Sequence, residues 1–154
     1  MEHAALSKDS TLYVGARLSM VITILKPGHV LITLAGYNDG ELGETYLKVL
    51  DQQIAETGFL YCYMDTREQT GISAEERDRL ARWAQQQGEK YRAGHLLFKS
   101  RLLELAVALV NLVTRGSVKT YSNVEAFEEA IRREVPGFIK LPAFDFKQPG
   151  KKSA

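Results

Sequence analysis

Few residues of this chain could do chemistry, and the most informative of them is Asp65. It follows the almost wholly apolar run 59–64 and precedes the polar run 66–71. A short apolar run bounded by polar residues is typical of a strand buried on both faces inside a parallel sheet. Asp65 is therefore predicted to lie at the carboxyl edge of that sheet, where open α/β folds bind their ligands.

Acid–base catalysis by Asp65 would need a second group within hydrogen-bonding reach of the same reacting atom. The candidates are His3, His29 and His95. His95 is predicted to begin the next strand while Asp65 ends its own, which would separate the two residues by ~17 Å. His29 falls in a turn and His3 in an irregular start. We therefore expect no catalytic histidine and no enzymatic activity.

Cys62, the single cysteine, is the other nucleophile to consider. Its position among aromatic residues in a buried strand raises the pKa of a thiol and shields it, so packing is the favoured role. One cysteine also excludes an intrachain disulfide and a cysteine-rich zinc site. The sequence contains no H-E-x-x-H, P-loop or G-x-S-x-G motif. We expect neither a metal site nor a cofactor.

Binding of an anion is a second chemistry that this edge could support. Asp65, Thr66 and Thr70 are predicted to share it with Lys99 and Arg101, where the start of a helix would offer free amide groups. Such an edge could bind a phosphate or an acidic side chain of a partner. The alternative, that these residues only cap the loop and the helix, is better supported by their types.

The composition is that of one globular domain without a strong overall field. The chain has 154 residues, 45% of them hydrophobic and 25% charged, with a formal net charge of +1. The near-neutral charge does not favour nucleic acid or an anionic membrane as a partner. The start lacks signal-peptide features, and the apolar region 102–113 is shorter than the roughly 20 residues of a membrane helix. A cytoplasmic protein with no transmembrane segment is expected.

Five strands and four helices are predicted, in the order β-β-α-β-α-β-α-β-α. The β-branched runs 18–25 and 30–34, joined by Pro27-Gly28, predict an antiparallel hairpin. The other elements are an amphipathic helix ended by Gly58, the strand 59–65, a helix from Ala74 to Gly94, a strand at 95–99, a helix at 101–115, a strand at 118–121 and a helix stopped by Pro136. The domain is placed at residues 17–135, between a loosely ordered segment, 1–16, and a Pro- and Phe-containing tail, 136–154.

This order of elements resembles the STAS-like (SpoIIAA-like) fold of anti-sigma-factor antagonists and transporter tails: a mixed β-sheet packed against helices. The resemblance covers residues 17–135. It is closest to small stand-alone bacterial proteins in which the third strand ends in aspartate and the second helix opens with a Ser-Ala-Glu-Glu-Arg-like stretch, here the capping box that begins at Ser73. In the antagonists serines follow the aspartate at once, and one of them is a phosphorylation switch. Here a longer polar loop follows Thr66, so the resemblance implies a regulatory protein–protein role more than a kinase-controlled one.

The segment 101–115 is predicted to be a helix with almost no polar face, interrupted between 102 and 113 only by Glu104 and Asn111. One interpretation is that the sheet, a neighbouring helix and the tail bury it completely. The other is that one side stays open for a second copy, a partner or an acyl chain. Since a domain of this size rarely surrounds a helix fully, both interpretations stay open. The second would place Leu109 and Val110 in a homodimer interface.

Three functions are compatible with these observations, and none of them is enzymatic. The leading hypothesis is a regulatory STAS-like binding module that acts through the loop 66–73 and the apolar helix. The second is an immunity protein that neutralises a cognate bacterial toxin, and the third is a carrier of a small apolar or lipid ligand. The residues predicted to bind a partner are Asp65, Thr66, Thr70, Ser73, Lys99, Arg101, Leu109 and Val110.

Overall fold

A mixed β-sheet of seven strands forms the centre of the residues that the structure, a computed structural model, describes: 2–99, 118–143 and 146. The strands are β1 (Glu2–Ala5), β2 (Ser10–Val14), β3 (Leu18–Lys26), β4 (His29–Asn38), β5 (Leu60–Ile72), β6 (Tyr91–Leu97) and β7 (Val118–Tyr121). The helices of the same residues are α1 (Gly43–Thr57), α2 (Ala74–Gln87) and α3 (Val124–Glu134), with one 3₁₀ turn at Gly88–Lys90.

The strands lie in the sheet in the same order as in the chain. Pairing is antiparallel from β1 to β4 and parallel from β4 to β7. The predicted Pro27-Gly28 turn joins β3 to β4, and Gly28 has a φ of 81°, which residues with a Cβ rarely adopt. α1 and α2 are the crossovers that parallel neighbours require.

Alternate side chains of the strands build a separate core on each face of the sheet. The core of the first face, here the α1/α2 face, includes Met20, Ile32, Cys62, Tyr46 and Leu50. The core of the opposite face, here the α3 face, includes Leu31, Tyr63, Leu97, Phe127 and Ile131. Helices on both faces explain why the middle strands read as nearly continuous apolar runs.

The helices have the end signals that the sequence indicates. α1 stops at Gly58, which is left-handed with a φ of 83° and donates its N–H to Ile54 at 2.7 Å. Ser73 caps α2 by accepting a 3.1 Å bond from the backbone N–H of Glu76. Asn123 caps α3 in the same way, through Ala126 at 3.0 Å.

Three boundaries differ from the sequence analysis. Residues 1–16, expected to be loosely ordered, contain β1 and β2, whose backbones pair with the sheet although few of their side chains are buried. α2 ends at Gln87 instead of Gly94, because Gly88 leaves the helical conformation and a strand begins at Tyr91. β5 does not end at Asp65 but continues to Ile72. The described sheet therefore has seven strands instead of about five.

The first part of the predicted tail folds back on α3. Phe138 and Leu141 pack into the core of the α3 face. The backbone N–H of Leu141 donates to the carboxylate of Glu128 at 2.6 Å, and Arg132 donates to the carbonyl of Ile139 at 2.8 Å. The predicted helix 101–115, with Arg101, Leu109 and Val110, lies outside the described residues, and the domain boundaries 17–135 stay a prediction.

Candidate partner-binding site

The candidate site is the second half of β5 together with Ser73, the residue that caps α2. We call these residues, 66–73, the β5 rim. β5 pairs with β6 only as far as Asp65, whose partner is Leu97. It pairs with β4 through to Ile72. In the part of the chain that the structure describes, no strand pairs with the β5 rim on its β6 side. This half of β5 is therefore an edge of the sheet next to its middle strands.

Asp65 lies in the middle of β5 and is buried, so the expectation that it ends the strand at an exposed edge is wrong. Its side chain is 3% exposed. One carboxylate oxygen accepts from Nε of Arg67 at 2.9 Å and the other from Nη2 at 2.8 Å. The pair forms because residues two apart on a strand point to the same face. The hydrogen bond to Asp65 raises the pKa of Arg67.

The β5 rim has both buried and exposed side chains. Thr66 is buried and its hydroxyl donates to the carbonyl of Leu97 at 2.7 Å, which ties β5 to the end of β6. Gln69 is buried as well. Thr70 is exposed, and Nζ of Lys99 lies 3.4 Å from the carboxylate of Glu68 on the surface. Glu68 and Thr70 thus face solvent along a strand where the sequence indicated a loop.

Ser73 ends the β5 rim, and a buried carboxylate lies beneath the helix start. The backbone N–H of Ser73 donates to the carbonyl of Asn38, so Glu76 does not return the bond of the predicted capping box. The carboxylate of Glu76, 2% exposed, instead accepts from the hydroxyl of Tyr46 and from Nε of Arg79 at 2.7 Å. The hydrogen bond to Glu76 raises the pKa of Arg79. Two internal ion pairs thus hold the rim at its two ends.

His95 is closer to Asp65 than the sequence analysis predicted. Its register partner is Tyr63, two residues before Asp65, which corresponds to about 7 Å along the strand. The predicted separation of ~17 Å is wrong because β6 begins at Tyr91. The two side chains have other partners: both carboxylate oxygens of Asp65 accept from Arg67, and Nδ1 of His95 shares a 2.8 Å hydrogen bond with the hydroxyl of Tyr121.

His29 and His95 are both buried, and each is bonded to a tyrosine. Nδ1 of His29 shares a 3.2 Å hydrogen bond with the hydroxyl of Tyr63. Burial, with a smaller contribution from Lys26, lowers the pKa of His29 to about 4. Burial, with Lys119 and Arg133, lowers the pKa of His95 to about 4. Both imidazoles are therefore neutral near pH 7.

The α1/α2 face contains the single cysteine and a small cavity. Cys62 is buried there, and burial raises the pKa of its thiol to about 12. Among the described residues, no group of three or more His, Cys, Asp or Glu could hold a metal ion. A cavity of ≈ 80 Å³, lined in part by Met64, Trp83 and Leu96, lies between the sheet and the helices. It is much smaller than the roughly 300–1,000 Å³ of typical ligand pockets.

The structure separates the predicted partner-binding residues into two groups. Thr70, Ser73 and Lys99 lie on the accessible side of the β5 rim, whereas Asp65 and Thr66 are inside it. Sequence reasoning missed the partners Arg67 and Glu76. The Asp-x-Arg spacing would have indicated one face of a strand, but the polar composition of 66–71 indicated a loop.

No protein-family model and no curated protein matches the sequence. Several solved structures are similar to it, among them the following two. An uncharacterised protein of the DUF3478 family with a SpoIIAA-like fold, from Shewanella loihica PV-4, aligns with a TM-score of 0.57 and 15% identity over 82% of this chain and 98% of its own. An anti-sigma factor antagonist from Mycobacterium paratuberculosis aligns with a TM-score of 0.55 and 11% identity over 79% of this chain and 99% of its own.

The fold is therefore STAS-like (SpoIIAA-like), as the order of elements predicted. At 15% and 11% identity, the two structures show the fold only. The function of this chain has to be argued from its own residues. None of the helices in the described residues has the length and apolar character that crossing a bilayer requires.

Proposed function

We propose that this protein is a non-catalytic regulatory module that binds another protein through the β5 rim. The observation that carries the proposal is the length of β5, which continues beyond the residues paired with β6 as a strand edge. Thr70 is exposed on this edge and Ser73 starts the adjacent helix. Proteins commonly bind partners by adding an extended segment to such an edge, because its backbone groups offer hydrogen bonds.

The internal bonding of the acidic residues supports a binding role over a catalytic one. A general acid or base must be able to reach a proton of its substrate. Asp65 and Glu76 are buried and bonded to Arg67 and Arg79 instead. Fixed pairs of this kind keep the surrounding surface rigid, which reduces the cost of ordering it when a partner binds.

The fold supports a regulatory protein as the partner. The structure from Mycobacterium paratuberculosis is, by its name, an antagonist of an anti-sigma factor, and almost its whole chain aligns with this one. We carry over only the general role, a protein–protein contact in the cytoplasm. The identity of the partner is the first thing that an experiment has to supply.

Two other functions have less support. An immunity protein would form a tight complex with the product of a toxin gene beside its own, and an isolated gene would count against that function. A carrier of an apolar or lipid ligand needs a cavity, and the ≈ 80 Å³ cavity of the described residues is smaller than the roughly 150 Å³ that holds one benzene. A homodimer through residues 101–115 stays a prediction.

Affinity capture with two matched variants tests the proposal. Thr70→Arg places a long charged side chain on the exposed edge, and Ala55→Arg places the same side chain on an exposed position of α1. Both should fold normally, since exposed substitutions usually change stability by less than ~0.5 kcal/mol. We expect a protein that the wild type and Ala55→Arg capture equally, and whose purified form binds Thr70→Arg at least tenfold more weakly.

A partner that binds all three forms equally would place the interface elsewhere and contradict the β5 rim. A partner that no longer binds Ala55→Arg but still binds Thr70→Arg would show that the interface is on α1. Isothermal titration with the purified partner measures the three dissociation constants directly.

A further inference from the structure

Five rings form a row across the α3 face of the sheet, away from the β5 rim. They are contributed by β4, β5, β6 and β7, and we call them the ring row: Tyr61, His29, Tyr63, His95 and Tyr121. The ring centroids of His29 lie 4.5 Å from Tyr61 and 6.2 Å from Tyr63. The centroid of His95 lies 5.1 Å from Tyr63 and 5.7 Å from Tyr121. The row thus connects four parallel strands through side chains alone.

Each histidine of the ring row is fixed by one phenol. The hydroxyl of Tyr63 is bonded to His29 and that of Tyr121 to His95. His29 is 3% exposed and His95 is 8% exposed. In the described part of the chain, neither imidazole has a carboxylate partner that would stabilise a proton on it.

The charged groups that face the two histidines are mostly cations. Lys26, the last residue of β3, faces His29. Lys119 of β7 and Arg133 of α3 face His95. The acidic groups on this side are Glu134 of α3, which acts on Tyr63, Glu128 of α3, which acts on Arg67, and Asp65 of β5, which is paired with Arg67. The other titratable neighbours are the phenols of the row, Tyr61, Tyr63 and Tyr121. A proton on either histidine would therefore put a buried positive charge beside other positive charges.

α3 is the described helix that covers this face, and it packs through a short apolar stripe. The ring of Phe127 lies edge-on to Tyr121, with centroids 5.7 Å apart. α3 buries Phe127, Ala130 and Ile131. The core of the α1/α2 face lies on the other side of the sheet and shares none of these residues. A local opening could thus free α3 and leave the second core intact.

We propose that the ring row is an acid-sensitive latch, in which a proton on His29 or His95 releases α3 and the segment 135–141 while the α1/α2 face stays folded. Release hydrates the imidazoles, whose pKa is then the ordinary 6.5, compared with about 4 under the closed helix. The closed form binds the proton less well, so the latch is closed above about pH 6.5 and opens as the pH falls towards 4. At pH 5, these two pKa values favour opening ~30-fold per histidine.

Hydrogen–deuterium exchange of the whole chain, followed by mass spectrometry between pH 8 and pH 5, tests the latch. After correction for the intrinsic effect of pH on exchange, the opening constant of peptides from 124–134 should rise by at least ~30-fold. Peptides from α1 should not change, and neither should the fluorescence of Trp83, which packs on the α1/α2 face.

Two variants separate the latch from a general effect of acid. His95→Gln keeps a side chain that can bond Tyr121 but does not titrate. The increase of its opening constant at pH 5 should therefore be ~30-fold smaller than that of the wild type. His3→Gln removes an exposed histidine of β1 and should behave as the wild type. The double variant His29→Gln/His95→Gln should show no rise.

Loss of protection in α1 and α3 at the same pH would mean global unfolding and would overturn the proposal. So would a double variant that opens with the wild-type pH dependence. Should the variants not fold, an NMR titration of the wild-type imidazoles decides alone. Two buried histidines that titrate near pH 6.5 with α3 still docked would contradict the latch.

Discussion

At the scale of the residue, the organising feature is a pair of buried carboxylates, each held by an arginine of its own element. Asp65 is bonded to Arg67 along β5, and Glu76 is bonded to Arg79 along α2. A buried carboxylate without partners would cost several kcal/mol, so these arginines are required by the burial itself. The pairs fix the ends of the β5 rim, which explains how a polar strand edge keeps a defined shape.

Glu76→Gln should destabilise the protein by about 2 kcal/mol. The amide can still accept from Tyr46 but no longer carries the charge that the guanidinium of Arg79 requires, and hydrogen bonds to charged groups contribute roughly 1.5–3 kcal/mol. Glu75→Gln makes the same change on the neighbouring exposed residue and should cost less than ~1 kcal/mol. Urea unfolding of the two variants measures the difference, and equal costs would show that the buried pair contributes little.

At the scale of the element, turn glycines and strand length position the site. Gly28 lets β3 turn directly into β4, and a Cβ at that position would overlap the ring of Phe59. Gly58 has almost the same φ, 83° against 81°, with nothing within 4 Å of a Cβ. The two glycines therefore share the backbone requirement and differ in the space around it.

Gly28→Ala should destabilise more than Gly58→Ala. Both place a side chain in the left-handed region, which costs roughly 1–2 kcal/mol, and only the first adds a steric overlap, worth roughly 1–3 kcal/mol more. Thermal unfolding of the two variants tests this comparison. Equal losses would mean that the ring of Phe59 moves aside at no cost.

The sequence predicted those parts of the fold that residues close together in the chain determine. The β3–β4 hairpin and the end of α1 are fixed by Pro27-Gly28 and Gly58, and the structure confirms both. The polar half of β5 was missed because it is a strand through its pairing with β4, which includes irregularities between Thr33 and Tyr37 that sequence does not show. β1 was missed for a similar reason, since all four of its residues are exposed and carry no apolar period.

The candidate site was predicted only in part. In the segment 66–73, Thr70 and Ser73 are accessible, whereas Thr66 and Gln69 are buried. The burial of Asp65 depends on Arg67 and on the continuation of the strand, and the ring row depends on the register of four strands. Register is a tertiary property that no local spacing in the sequence specifies.

At the scale of the whole molecule, the described residues contain two separate regions of interest. One is a strand edge, the β5 rim, and the other is a face of the sheet, which carries the ring row. The β5 rim lies at the carboxyl end of β5, and the ring row crosses the α3 face from the amino end of β4 to the carboxyl end of β7. The two cores on opposite faces let the α3 face respond to acid without moving α1 and α2. Partner binding and acid response can therefore be tested independently.

The most direct measurement of the central claim is photo-crosslinking at single positions in the living cell. A crosslinking amino acid at position 70, on the exposed edge of β5, is compared with one at position 55, on the exposed side of α1. The account predicts a covalent adduct with one other protein at position 70 and none at position 55. Adducts at position 55 with none at position 70 would contradict the assignment of the β5 rim as the surface that binds the partner.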